Sequence, residues 1–172
     1  LLKNVTAPNL KKLLGKMFIT KNEVQTAVSA YLINTGSNLI LVDAGTSKCF
    51  GPSAGSLLES LRAAGYEPSQ VDSIYITHLH GDHICGATST DGKRNFPNAV
   101  LRMSQAEADF WLSQKNRESA PEDFKKFFKM AQDSVKPYQE ADKLKPFAAK
   151  EILVTGLEAI PTAGHTPGHT SY

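Results

Sequence analysis

The stretch Thr77-His78-Leu79-His80-Gly81-Asp82-His83 carries three of the five histidines of the chain and directly follows the apolar run 74–76. His78 and His80 are two residues apart, so their imidazoles share one face of an extended backbone and can reach one ion. Imidazole and carboxylate groups are ligands that suit zinc or a similar divalent metal. The stretch therefore predicts a metal-binding loop at the end of a strand.

The second half of the stretch predicts a further, adjacent ion site. Gly81 allows the backbone to turn sharply, so Asp82 and His83 point away from the first two histidines. The alternative interpretation is a solvent-exposed polar turn. Four residues of ligand type around one turn glycine favour the metal site.

Length, composition and charge exclude several classes of function. The chain has 172 residues, and 41% of them are hydrophobic, which is enough for one domain (residues 1–172) with a real core. The net charge is +2. This charge predicts neither nucleic acid nor an acidic membrane as a partner, and no apolar run has the length of a membrane span. The chain begins with Leu1 rather than methionine, so a leader is expected to have been removed already. Its last residues, 169–172, read as the opening of a strand. We therefore expect a domain truncated on its C-terminal side.

Strands and helices alternate in the predicted order. Apolar and β-prone runs predict strands at 27–33, 39–42, 73–77, 99–103, 152–154 and 157–160. Helices are predicted from Ser53 to Gly65, from Ser104 to Gln114, and from Pro121 through Val135. Strand, helix and strand in succession form a crossover unit, and sites in such sheets gather at the carboxyl ends of the strands. The chain is therefore α/β.

Several motifs resemble those of the metallo-β-lactamase superfamily. His78-Leu79-His80-Gly81-Asp82-His83 is similar to its H-x-H-x-D-H signature, and 42–45 and 164–169 match its other landmarks in order. Longer stretches, among them 63–66, 96–100 and 107–114, resemble the methyl parathion hydrolase branch of secreted phosphotriesterases. Gly81 and Cys85 depart from that branch, where proline and glycine stand. The resemblance implies an αββα sandwich, here incomplete at its C-terminal side, and a periplasmic or secreted protein.

The resemblance also assigns roles to the polar residues. His78, His80 and His165 would hold the first divalent ion; the alternative for His165 is an exposed loop histidine. Asp82 and His83 would begin the second ion site, with Asp82 at the catalytic centre. Asp43 would support the catalytic loop by hydrogen bonds, whereas a turn-initiating aspartate is the alternative.

The second ion site is expected to be half built. In the resembling family it uses a later histidine and a later bridging aspartate, but no histidine follows His169 and no aspartate follows Asp142. His169 itself begins a strand, and we expect it to make a structural hydrogen bond rather than bind metal. Of the one or two divalent ions that such a centre holds, Zn²⁺ or another metal, at most one is therefore expected to bind tightly.

The resemblance further implies an aromatic pocket for the leaving group. Phe50, Trp111 and Phe128 match residues that line this pocket, and aromatic walls suit a flat nitrophenyl group. Trp111 and Phe128 fit equally well in helix stripes that face a core, and the match near Phe127 and Phe128 can slip by one.

The two cysteines, Cys49 and Cys85, each follow a predicted strand at the site edge. A disulfide needs Cα atoms within about 7 Å. Two free, partly buried thiols are the prediction from sequence.

The sequence thus predicts a hydrolase in which a metal-activated hydroxide attacks a small phosphotriester or ester. One alternative is a lactonase or other carboxylic ester hydrolase on the same metals. Another is an inactive truncated fragment, whose exposed strand edge would favour a homodimer or aggregate.

Overall fold

The computed structural model describes residues 5–21, 26–47, 49–51, 54–149 and 151–172. The helices are α1 (Ala7–Lys16), α2 (Leu57–Ala63), α3 (Gly81–Ile84), α4 (Gln105–Trp111), α5 (Gln114–Ser119) and α6 (Glu122–Glu140). The strands are β1 (Tyr31–Asn34), β2 (Leu39–Val42), β3 (Ser73–Tyr75), β4 (Val100–Arg102), β5 (Ile160–Pro161) and β6 (Thr170–Ser171). Over these ranges every helix is too short or too polar to span a bilayer.

The main sheet has the strand order β1-β2-β3-β4. β1 and β2 form an antiparallel hairpin, whereas β2, β3 and β4 run parallel, with Leu41 beside Ile74 and Ile74 beside Leu101. The parallel strands end at the same edge, where the loop after β3 begins. The expected α/β architecture is confirmed, and the predicted metal-binding loop lies at the expected edge of the sheet.

Strand β2 is buried on both faces, as its apolar run predicts. Leu39 and Leu41 contribute to a large core that includes side chains of α4 and α6, whereas Ile40 packs with Tyr75 and Phe147 on the opposite face. Alternate residues of one strand thus serve two apolar layers.

The second face of the main sheet is covered by the C-terminal segment. β5 and β6 pair antiparallel in a separate two-stranded sheet, and the adjoining Tyr172 packs against Tyr75 with ring centroids 5.6 Å apart. The Tyr172 hydroxyl donates to the Ile76 carbonyl at 3.0 Å. Helices, the mixed main sheet and a second sheet therefore lie in successive layers.

Some predicted elements differ from those observed. The apolar run at 152–154 forms no strand, and Ile152 is 90% exposed. Of the run at 157–160, only Ile160 lies in a strand, at the start of β5, and a single bridge joins Val154 to Leu157. The helix predicted to reach Gln114 ends at Trp111, because the Ser113 side chain accepts from the Asn116 N–H and caps a new helix. Ser53 lies outside the described residues.

The prediction of free thiols is wrong, because Cys49 and Cys85 form a disulfide with a Cα–Cα distance of 6.4 Å. Two backbone hydrogen bonds bring the segments together: Ala44 N–H donates to the His83 carbonyl at 2.8 Å, and Gly86 N–H donates to the Gly45 carbonyl at 2.9 Å. A Cβ at position 86 would lie 1.8 Å from the Ala44 oxygen, so only glycine allows this approach. The disulfide therefore joins the loop after β2 to the segment after α3.

Candidate metal centre

Three histidine side chains converge at the carboxyl edge of the sheet. His78 follows β3, His80 precedes α3 with an extended backbone (φ −71°, ψ 150°), and His165 lies between β5 and β6. One nitrogen of each ring lies within 4.8 Å of the others, a grouping that could hold a metal ion. The closest pair is His80 Nδ1 and His165 Nε2, 3.0 Å apart. Such closeness suits three ligands of one ion.

The hydrogen bonds of His78 leave one ring nitrogen free for a metal. The Thr77 hydroxyl donates its only hydrogen to Asp43 at 2.9 Å, so at its 3.0 Å contact with His78 Nδ1 it acts as the acceptor. His78 Nδ1 therefore carries the proton, and Nε2 bears the lone pair. Among the described residues, buried Nε2 has no hydrogen-bond partner. A buried, unpartnered imidazole nitrogen facing two other imidazoles fits a divalent ion.

The protonation of two of these histidines suits metal binding. Burial, followed by the charges of His83 and His80, lowers the pKa of His78 to about 2. Burial and the charge of His165 lower the pKa of His80 as well. Both rings are therefore neutral near neutral pH, which is the form that coordinates metals.

Asp43 makes the contacts that its predicted supporting role requires. Only 5% exposed, its carboxylate accepts from the Thr77 N–H at 2.8 Å, from the Thr77 hydroxyl and from His83 Nδ1 at 2.8 Å. Its φ of +59° is in the left-handed region, which aspartate tolerates better than most residues. Asp43 thus holds both ends of the 77–83 stretch.

Asp82 and His83 lie beside the three converging histidines but outside that group. Asp82 Oδ2 is 3.5 Å from His83 Nε2, and the His83 ring is 4.1 Å from the His78 ring. Burial disfavours charge on His83, but the hydrogen bond and charge of Asp43, together with the charge of Asp82, more than offset it and raise the pKa of His83. Both His83 nitrogens therefore face carboxylates in this structure.

The predicted aromatic residues divide between core and site. Trp111 is buried, with its ring 4.6 Å from Phe128 and 5.1 Å from His80, so it borders both. Phe128 packs into the core, whereas its neighbour Phe127 lies 6.4 Å from the His80 ring. Phe50 is 49% exposed and lies beside Gly81, where a Cβ would come within 3.2 Å of its ring. Phe127, not Phe128, faces the histidines.

His169 makes the hydrogen bond expected of it. Its Nδ1 lies 2.8 Å from the Thr162 hydroxyl, across the β5–β6 pair. Its ring is 4.9 Å from that of His78, yet its nitrogens are not among the converging group.

From the sequence, Glu107 is predicted only to lie in the helix that begins at Ser104, with no role in the site. Ser104 does cap α4 by accepting from the Glu107 N–H at 3.2 Å. The Glu107 side chain, however, accepts from Leu79, Thr166 and Gly168. Its position five residues after the parallel strand β4, at the carboxyl edge, is the signal that could have identified it.

Comparison with known proteins gives consistent results. The sequence model of the Metallo-beta-lactamase superfamily matches residues 24–172. Among solved structures, the hydrolase AbOPH of the beta-lactamase superfamily is 39% identical with a TM-score of 0.90, covering 98% of this chain and 59% of its own. AidC, a dizinc quorum-quenching lactonase crystallised with N-hexnoyl-L-homoserine, is 30% identical with a TM-score of 0.85, covering 96% of this chain and 58% of its own.

The chain is also similar in sequence to a known bacterial protein. The uncharacterised protein YobT of Bacillus subtilis (strain 168) is 30% identical over 154 residues, which are 84% of this chain and 56% of YobT. The chain thus spans somewhat more than half the length of these relatives. Because the family model matches most of the chain and the fold agrees, the chain belongs to the metallo-β-lactamase superfamily.

Proposed function

We propose that this protein is a metal-dependent hydrolase of small phosphotriesters or esters, acting through the His78, His80 and His165 centre. The observation that carries the proposal is the convergence of three ring nitrogens within 4.8 Å, with His78 Nε2 buried and unpartnered. Three imidazoles are a common ligand set of catalytic zinc. When bound, the ion would supply Lewis-acid activation of water and of the attacked group.

The remaining residues would support the reaction from fixed positions. Asp43 holds Thr77 and His83, and through Thr77 it sets the tautomer that presents His78 Nε2. The Asp82 carboxylate is 37% exposed and can accept a proton from an attacking water. Asp82 and His83 would also begin the second ion site.

An aromatic leaving group would lie against Trp111 and Phe127. Both rings approach His80, and an exposed Phe50 lies beside the neighbouring Gly81. Flat apolar walls next to a metal centre favour an aryl ester over a small aliphatic one. The similarity to hydrolase AbOPH supports a hydrolytic reaction.

The second candidate function is lactone hydrolysis. It is favoured by the similarity to AidC, which is 30% identical and was crystallised with the product N-hexnoyl-L-homoserine. Both reactions need the same metal ligands, so the pocket rather than the centre separates them.

Metal content and a substrate panel test the proposal. We expect one tightly bound zinc per chain after dialysis, and faster hydrolysis of a paraoxon-like aryl phosphotriester than of an N-acyl homoserine lactone. His78→Ala should abolish zinc retention, whereas His169→Ala, the matched control, should keep it, because His169 is bonded to Thr162.

Three results would contradict the proposal in different ways. Absence of bound metal would refute the centre itself. A preference for the lactone would favour the second candidate. Bound zinc without turnover of either substrate would mean that this chain is an inactive fragment.

A further inference from the structure

We infer that Glu107 is a positioning residue that fixes the two ligand-bearing loops relative to each other. The inference rests on the proposed metal centre. It concerns a side chain that is fully buried and lies on α4, an element separate from both loops. A buried carboxylate is costly unless several donors satisfy it.

The donors to Glu107 come from both sides of the centre. The Leu79 N–H donates to Oε1 at 2.8 Å, and Leu79 lies between His78 and His80. The Thr166 hydroxyl and the Gly168 N–H donate to Oε2 at 2.8 and 2.9 Å, and Thr166 directly follows His165. One carboxylate oxygen therefore serves each loop.

The packing around Glu107 leaves little freedom for the His165 loop. A Cβ at Gly168 would lie 2.1 Å from the Glu107 backbone nitrogen, so the loop lies directly against α4. The Ser104 hydroxyl also donates to the Gly168 carbonyl at 2.6 Å. The loop is thus held at both backbone groups of Gly168.

The ion-pair pattern argues for positioning rather than simple charge compensation. None of the ion pairs among the described residues involves Glu107; its partners are two backbone amides and one hydroxyl. Because one backbone amide in each loop donates to the carboxylate, a shift of either loop would change a hydrogen bond to Glu107. His80 and His165 are 85 residues apart in sequence, and their ring nitrogens must nevertheless stay about 3 Å apart. Hydrogen bonds that fix metal ligands in this way alter metal affinity about 10- to 100-fold.

The decisive variant is Glu107→Gln, which keeps the shape but replaces one acceptor oxygen by an amino group. In either orientation of the amide, its NH₂ group faces a backbone N–H donor, so one of the two loops loses its hydrogen bond to residue 107. Thr166→Val removes only one of the three donors and is the milder variant. Asp72→Asn is the matched control: Asp72 Oδ2 accepts from the Leu39 N–H at 2.7 Å, at the opposite edge of the sheet.

The measurements are zinc affinity by chelator competition, the visible spectrum of the Co²⁺-loaded chain, and the melting temperature without metal. We expect Glu107→Gln to weaken zinc binding about 10- to 100-fold and to shift the Co²⁺ bands. Thr166→Val should weaken zinc binding less than about tenfold. Asp72→Asn should leave the zinc affinity and the Co²⁺ spectrum unchanged.

The outcomes separate this inference from the proposed function. If the parent chain binds no zinc, the metal centre fails, and the inference with it. If the parent chain binds zinc and Glu107→Gln lowers only the melting temperature, Glu107 is structural and the inference is wrong. Should Glu107→Gln not fold, Thr166→Val decides: unchanged affinity and spectrum in that variant overturn the inference.

Discussion

Replacing Asp43 by alanine tests whether the 77–83 stretch is held from one carboxylate. The change removes the acceptor of the Thr77 N–H and of His83 Nδ1. Without metal, the His78 imidazole can move its proton to Nε2, and Nδ1, 3.0 Å away, then accepts from the Thr77 hydroxyl, so the hydroxyl is not orphaned. The lasting losses are therefore one partly buried amide and one charge-assisted hydrogen bond.

These losses give the expected magnitude. An unsatisfied buried N–H costs about 1–3 kcal/mol, and the partly exposed His83 contact adds about 1 kcal/mol. Alanine also tolerates the φ of +59° less well than aspartate does. We expect Asp43→Ala to lower the free energy of unfolding by about 3 kcal/mol.

Urea unfolding at 25 °C in the presence of a chelator measures this difference without a contribution from metal. Asp43→Asn is the control that keeps the size, an acceptor oxygen for Thr77 and the tolerance of positive φ, so it should lose about 1–2 kcal/mol. Asp43→Gly should be about 1 kcal/mol more stable than Asp43→Ala, because glycine relieves the backbone strain. A loss below about 1 kcal/mol in Asp43→Ala would show that water replaces the carboxylate, and the reasoning would fail.

Three further predictions follow from the packing. Reducing the Cys49–Cys85 disulfide, which closes a 36-residue separation, should lower the unfolding free energy by about 4 kcal/mol in urea titrations with and without dithiothreitol; equal midpoints would contradict it. Gly168→Ala should lower the free energy of unfolding by more than about 3 kcal/mol, because the added Cβ forces the loop away from α4. The control Gly15→Ala, in open space on α1, should be neutral or stabilising, and similar melting temperatures for the two variants would refute the clash. Trp111→Ala should lower the free energy of unfolding by about 3–5 kcal/mol and also raise KM for aryl substrates. A loss of stability with unchanged KM would assign Trp111 to the core.

The sequence predicts best those features that depend on local pattern. The apolar run of β2 implies burial on both faces, and the alternation of His78 and His80 on an extended backbone places both rings on one side. Both follow from strand geometry alone, without knowledge of distant residues.

Features that depend on distant partners could not be predicted in the same way. Ser104 and Glu107 fit a helix-capping pattern whether or not the glutamate side chain bonds back to the helix. The observed partners of the Glu107 side chain lie 28 to 61 residues away along the chain. The disulfide likewise depends on two backbone hydrogen bonds that bring the segments together, which cysteine spacing does not reveal. Phe127 and Phe128 are adjacent on one helix, so only the packed direction of α6 shows which of them faces His80.

The separation of the histidines along the chain has a kinetic consequence. His80 and His165 are 85 residues apart, and β6 meets the His78 loop through the Thr170 N–H, which donates to the Thr77 carbonyl at 3.0 Å. The centre can therefore assemble only after a large loop has closed, which is slow relative to local helix formation. Zinc would bind only to chains that have completed this step, so the appearance of Co²⁺ absorbance during refolding would time the arrival of the C-terminal segment, and free metal would draw the population toward the folded state.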